Sequence, residues 1–384
     1  MHGLPTRRHL LKGLALAGAV LAPLAPLVPR GARAQASTQA LTVGLIAIGP
    51  WQDWGWNQSF AAAGAALQAA GVTVVKAGYL PESTDYDSGR DDAQTRAYAA
   101  ALDQLVAQGA RLVISTSFGH DPFLVAAAQR HPEVMFRQAS ALANDATPAN
   151  LGSQNALINQ GHYVNGVAAG LCTASNTLGF VAGLPFAPVL LNVNSFLLGA
   201  RTSNPAAVVR VLFTGGWEDE AHDAAATNAL VDAGCDVITC HLDAPKVAIE
   251  TAEARGVKTC GHAVDQNALA PKGYITGADY HWAGLFEGFV QAVARGAALP
   301  KFTVGGYDTG LVRSSPFGAG ATAPAIAAAE GAIAAMTRGE PIFTGPLFDN
   351  NGRQVLGAGT SYGPTADALQ RTDYLLEGVI GTIG

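Results

Sequence analysis

No Gly-x-Gly-x-x-Gly follows the first apolar run of this chain, and it contains no Walker loop and no Gly-x-Ser-x-Gly elbow. A dinucleotide fold, a P-loop nucleotide site and an α/β-hydrolase triad therefore lack support. The nine histidines form no His-x-x-x-His pair and no other metal spacing, so neither a metal nor a cofactor is expected. Cysteine is scarce: Cys172, Cys235, Cys240 and Cys260 are the whole complement, and their spacing fits no zinc or redox motif. Cys240 and Cys260 fall near the ends of two successive strand-like runs, where a disulfide could form in an oxidising compartment; buried free thiols are the favoured reading. Charge is low as well. Charged residues make up 14% of the chain against 49% hydrophobic, a balance that builds a large core and excludes a disordered chain.

The start reads as an address rather than as fold. Thr6-Arg7-Arg8-His9-Leu10-Leu11-Lys12 is a twin-arginine export pattern, an apolar run from Gly13 to Val28 follows, and Ala32-Arg33-Ala34 gives a small-x-small cleavage site. That run is too short and too rich in Ala and Pro to span a membrane. The expectation is a periplasmic protein exported by the twin-arginine route and cleaved near Ala34. Residues 1–34 carry five basic side chains and no acidic one, which leaves 18 basic against 29 acidic residues, a formal −11. Nucleic acid and anionic membrane are excluded as partners on that charge.

Beyond the signal the chain alternates helical patterns with short buried strands, the α/β signature. A unit recurs in which a helix ends at Gly and a strand follows at once. Gly71, Gly109, Gly234 and Gly256 each precede such a strand. Strands are expected near 41–48, 72–79, 112–116 and 134–137, then near 178–183, 208–214, 236–241 and 258–261. The 384 residues thus hold two similar lobes in succession. The first is assigned 38–153 plus 275–315, and the second 154–274 plus 316–360. Residues 361–384 pack on the lobes.

Three of the five tryptophans fall in one stretch, Pro50-Trp51-Gln52-Asp53-Trp54-Gly55-Trp56-Asn57. It follows the apolar run Leu41 to Ile48 and precedes an Ala-rich helix, so it is the first β→α loop. In an open parallel sheet ligands bind at that carboxyl edge of the strands. An indole there can stack on a planar ligand, and Asp53 and Asn57 can read its polar rim. The other strand ends carry a matching set: Phe118 and Asp121, Trp217 and Asp219, His241 and Asp243, His262 and Asp265. An aromatic cleft with a few polar readers describes a binding site and names no nucleophile.

These segments resemble the basic membrane protein family of substrate-binding proteins, which serve ABC importers. The resemblance rests on Asp53-Trp54-Gly55-Trp56-Asn57-Gln58-Ser59, Ser117-Phe118-Gly119-His120-Asp121, Gly161-His162-Tyr163-Val164-Asn165-Gly166, Asn194-Ser195-Phe196-Leu197-Leu198-Gly199-Ala200 and Val264-Asp265-Gln266. It implies two Rossmann-like lobes with parallel sheets, joined by a multi-strand hinge, with the ligand between them. It implies a base sandwiched by Trp56 and Phe196, and ligand contacts at Asn57 and Asp121. Two departures stand out. The family's ribose-binding acid is Ala263 here, and its usual lysine is Tyr280, in Ala278-Asp279-Tyr280-His281-Trp282. Without that carboxylate a bare or oxidised purine base becomes the expected ligand, and the further indoles Trp51, Trp54, Trp217 and Trp282 suit enclosure of a small flat molecule. A purine nucleoside or flavin receptor is the alternative, and a purine-salvage hydrolase a more distant one. The expected partners are the small molecule and the importer's permease and ATPase subunits, with the chain acting as a monomer.

Overall fold

The computed structural model describes residues 41–80, 93–139 and 147–383. The twin-arginine pattern and its cleavage site lie outside them.

The first lobe opens with β1 (Thr42–Ile46), α1 (Trp56–Ala69), β2 (Thr73–Lys76), α2 (Ala93–Ala107), β3 (Ala110–Ser115), α3 (Asp121–Arg130), β4 (Met135–Ala139) and β5 (Leu151–Ala156). The second continues with α4 (Ile158–Cys172), β6 (Thr177–Ala182), α5 (Ala187–Ser203), β7 (Val208–Phe213), α6 (Glu220–Asp232), β8 (Val237–His241), α7 (Lys246–Ala254), β9 (Lys258–Ala263) and β10 (Tyr274–Tyr280). The chain then returns through α8 (Ala283–Ala294) and β11 (Phe302–Gly305) and crosses back with β12 (Val312–Ser314) and α9 (Ala323–Thr337). A small hairpin, β13 (Leu347–Phe348) with β14 (Gln354–Leu356), precedes α10 (Asp367–Gln370) and β15 (Val379–Ile380).

Six strands form the first sheet, ordered β11-β5-β4-β3-β1-β2, and every pairing is parallel. The second sheet has seven, ordered β12-β10-β9-β8-β6-β7-β15, parallel except where β12 runs against β10. Its central strands are buried on both faces, so they read as nearly continuous apolar runs such as Thr-Leu-Gly-Phe-Val-Ala in β6. The expected helix–glycine–strand joints are present. Gly71 and Gly234 take φ values of 87° and 90°, the left-handed cap that lets a strand begin at once.

Three corrections concern where the chain changes lobe. β5 carries the first lobe to Ala156, because Leu-Gly-Ser-Gln-Asn-Ala pairs with both β4 and β11. The return expected at 275 follows Tyr280 instead, since β10 pairs with β9 in the second sheet. The last crossing precedes Val312, since β12 pairs with β10. A buried strand reads alike in either sheet, so composition alone misplaces it. Residues near the end of the chain join the second lobe: β15 pairs with β7, and Asn194 on α5 donates to the Tyr374 carbonyl at 2.9 Å. All four cysteines are buried and free.

Candidate functional site

The site is built on the carboxyl ends of the strands. Asp53 organises the first loop. Its carboxylate accepts from the backbone N–H groups of Gly55 (2.8 Å), Asn57 (2.7 Å) and Gln58 (2.9 Å) and from Asn57 Nδ2 (2.9 Å). These are the orphan donors of the α1 N-terminus, so Asp53 anchors that helix. Burial raises its pKa and the four donors oppose the rise. Asn57 Oδ1 in turn accepts from Ile48 N–H at 3.3 Å and Thr116 Oγ at 3.0 Å, tying β1, α1 and β3 together.

That frame places Trp56. Its indole N–H donates to the Thr116 carbonyl at 2.6 Å, and its ring meets Tyr280 edge-on, centroids 4.9 Å apart and planes at 80°. Tyr280 stacks on Trp282 at 5.3 Å. Besides Tyr280, the second lobe contributes Phe186 at the start of α5 and Trp217 after β7, their rings 5.9 Å apart. His241 ends β8, and its Nδ1 lies 2.7 Å from Asn192 Nδ2 on α5. Behind it His262 and His162 complete a buried histidine nest. The His241 and His262 rings are 4.5 Å apart, and His162 Nε2 lies 3.1 Å from His262 Nδ1. Burial pushes His241 down to about 4 and holds His162 and His262 well below the usual range, helped by their neighbours. All three are neutral near pH 7, and a neutral imidazole offers one donor and one acceptor.

These groups enclose a cavity of about 320 Å³. Its apolar walls are Ile48, Trp56, Phe118, Phe186, Leu191, Trp217 and Tyr280, and its polar groups include Thr116, Asn155, Asn159, Asn192, His241 and Asp243. Apolar faces with a few convergent amides suit a flat, polar-edged molecule.

A family model described as ABC transporter substrate-binding protein PnrA-like matches residues 40–313. The chain belongs to that family. The PnrA-like proteins are receptors of ABC importers: they hold a small molecule for the permease and ATPase subunits, outside the cytoplasmic membrane, and the family is one of transport proteins. This PnrA-like chain is 31% identical to a purine-binding protein of Brucella abortus over 84% of its own length and 88% of that protein's. It is 30% identical to a putative ABC transporter glucose-binding protein of Haloferax volcanii over 52% of its length and 50% of the relative's. Its fold is similar to an ABC transporter solute-binding protein of Conexibacter woesei, with a TM-score of 0.63 at 21% identity, covering 78% of this chain and 97% of that one. Among the described residues no helix is long and apolar enough to cross a membrane.

Of the residues expected at the PnrA-like site, the structure brings Trp56, Phe118, Trp217, His241 and Tyr280 to the cavity. The others stand elsewhere. Trp51 and Trp54 line a separate shallow pocket with Lys76, whose ammonium lies 5.0 Å above the Trp51 ring. Asp53 and Asn57 are occupied by the loop that they hold. Asp121 accepts from Gln138 Nε2. Phe196, on α5, is fully buried with its ring 5.9 Å from Phe180 of β6, as its apolar helical setting favours. Asp219 caps α6 and pairs with His222 at 2.7 Å. His262 lies behind His241, and Trp282 is core, its N–H donating to Ser59 Oγ at 3.0 Å. The sequence reading missed Asn155, Asn159, Asn192 and Phe186. The legible signal was the lone amide in an apolar helical run, as in Val189-Leu190-Leu191-Asn192-Val193.

Proposed function

We propose that this PnrA-like protein captures a purine base, or a closely related flat heterocycle, in the periplasm for an ABC importer, after export by the twin-arginine route. The observation that carries the reading is the cavity of about 320 Å³ walled by Trp56, Phe118, Trp217 and Tyr280. Asn155, Asn159, Asn192 and His241 supply donors and acceptors for the ligand's edge. The purine-binding relative from Brucella abortus supports the ligand class. Asp243 favours the second reading, a nucleoside, since a cavity carboxylate can accept from two ribose hydroxyls.

A thermal-shift panel tests the reading with adenine, guanine, hypoxanthine, xanthine, urate, adenosine, guanosine, riboflavin and glucose. A ligand that binds only the native state raises the melting temperature. At least one base is expected to raise it more than its nucleoside does. A larger shift with the nucleoside replaces the first reading with the second, and no shift with any purine overturns both. For the base that binds, Trp56→Ala is expected to weaken affinity roughly ten- to a hundredfold, because stacking on an aromatic side chain contributes about 1–3 kcal/mol per base. Incubation with nucleosides is expected to release no free base.

A further inference from the structure

One tripeptide of the first lobe, Trp54-Gly55-Trp56, is held by the second lobe at both ends. Gln266, after β9, donates from Nε2 to the Trp54 carbonyl at 2.7 Å. Trp56 N–H donates to the carbonyl of Asp243, after β8, at 2.9 Å. Between them stands Gly55. A Cβ at that position would overlap the Asp243 carbonyl oxygen and lie 2.5 Å from Pro245 Cδ. Its torsions, φ −154° and ψ −124°, lie outside the regular strand and helix regions. The close approach of the other lobe leaves no room for a side chain at this position. Trp54 has a φ of 57°, a left-handed conformation unusual for so bulky a side chain. Gln266 is fully buried and fixed, accepting from His262 N–H at 3.2 Å and reaching the His262 carbonyl at 2.8 Å.

From this we infer that Trp54-Gly55-Trp56 is the clasp that closes the two lobes over the cavity. Gly55 permits the contact and Gln266 is its positioning residue. The inference rests on the cavity being the ligand site. Trp56 joins the two events, because its ring walls the cavity while its N–H belongs to the clasp. Contacts available only when the lobes meet favour the closed state, and a ligand that needs both walls selects that same state. An opposing force faces the clasp: the pKa of Glu218 of the second lobe is raised by burial and, after that, by the negative charge of Asp53. Neither Gly55 nor Gln266 itself lines the cavity.

Full-length Gly55→Ala and Gln266→Leu test the clasp by calorimetry and small-angle scattering, with adenine, hypoxanthine and adenosine as probes. The expected result is an unliganded melting temperature close to wild type for Gly55→Ala, an affinity at least tenfold weaker, and loss of the ligand-induced contraction of the radius of gyration. Gln266→Leu is expected to weaken binding in the same direction, and it carries the test if Gly55→Ala does not fold. Wild-type affinity and contraction in Gly55→Ala would overturn the inference. If no probe binds the wild type, the purine reading fails separately, and hydrogen exchange of the Trp56 amide in the unliganded proteins decides the clasp. Slower exchange in wild type than in Gly55→Ala upholds it, and equal exchange sinks it.

Discussion

Ala263 ends β9 with a φ of 74°, fully buried, and its partner across the strand pair is Asp279 on β10. That neighbour changes what a carboxylate at 263 would do. Asp279 is pushed up to about 7 by burial, and both its oxygens lie 2.7 Å from Ser315 Oγ, which Tyr274 OH also reaches at 3.0 Å. A second acid beside it would be buried, unpaired and of like charge. Ala263→Asp is therefore expected to cost roughly 3–5 kcal/mol of stability at neutral pH, and to give no gain in nucleoside binding. Both acids ionise as pH rises, so the deficit in urea unfolding is expected to be larger at pH 8 than at pH 5. Tighter nucleoside binding with unchanged stability would show that the side chain reaches the cavity. At this scale the sequence revealed Trp56, Phe118, Trp217, His241 and Tyr280 at strand ends beside the cavity, but not that Trp51, Trp54 and Trp282, equally near strand ends, stand elsewhere. It could not tell that Asp53 and Asn57 hold the first loop, since a helix anchor and a ligand reader use the same chemistry. It passed over Asn159 on α4 and Asn192 on α5, because those helices are buried on most sides and spacing alone does not say which side meets the cavity.

Helices α4 and α5 are packed without space between backbones. A Cβ on Gly199 would overlap the Tyr163 carbonyl and lie 3.0 Å from Val167 N, and one on Gly166 would overlap the Phe196 carbonyl and lie 2.9 Å from Ala200 N. The two glycines interlock the helices. Gly199→Ala is expected to destabilise by about 1–3 kcal/mol through overpacking. Gly331, on α9, has no atom within 4 Å of a built Cβ, so Gly331→Ala is expected to stabilise by about 0.4–1 kcal/mol. Opposite shifts of the urea midpoint check the pair, and equal shifts would show that helix propensity alone governs both sites. Strand existence was legible because glycine ends one element and an apolar run starts the next. β5 escaped because Leu-Gly-Ser-Gln-Asn-Ala carries no apolar run. Its Gly152 lies where the Arg137 guanidinium, stacked 4.9 Å from Phe289, crosses the sheet, so what marks the strand is a contact distant in sequence.

For the whole molecule, buried titratable groups set how stability follows pH. Burial pushes His120 and His241 down to about 4, and His162 and His262 well below the ordinary value of 6.5. Each is neutral when folded and titrates near 6.5 when unfolded, so its contribution is complete above that value and is lost as pH falls. Asp223 and Asp279 oppose them. Burial raises these to about 6 and about 7, so their contribution is complete below the unfolded value of 3.8 and is lost as pH rises through the folded one. Asp53 and Glu218 are raised less, and the lowered His281 and raised His222 counter each other. Four histidines against two strongly raised acids leave the unfolded chain with about two more protons near pH 5, each contributing about 1.4 kcal/mol per pH unit. The urea midpoint is therefore expected to climb from pH 5 to pH 6.5 and to level off or decline slightly above pH 7. His120→Gln should make the climb shallower by about one proton, because His120 lies in the first lobe, with Nδ1 2.6 Å from Ser115 Oγ and no place in the cavity wall. A midpoint that falls between pH 5 and 6.5, or a His120→Gln slope equal to wild type, would mean that the buried histidines do not govern the acid limb.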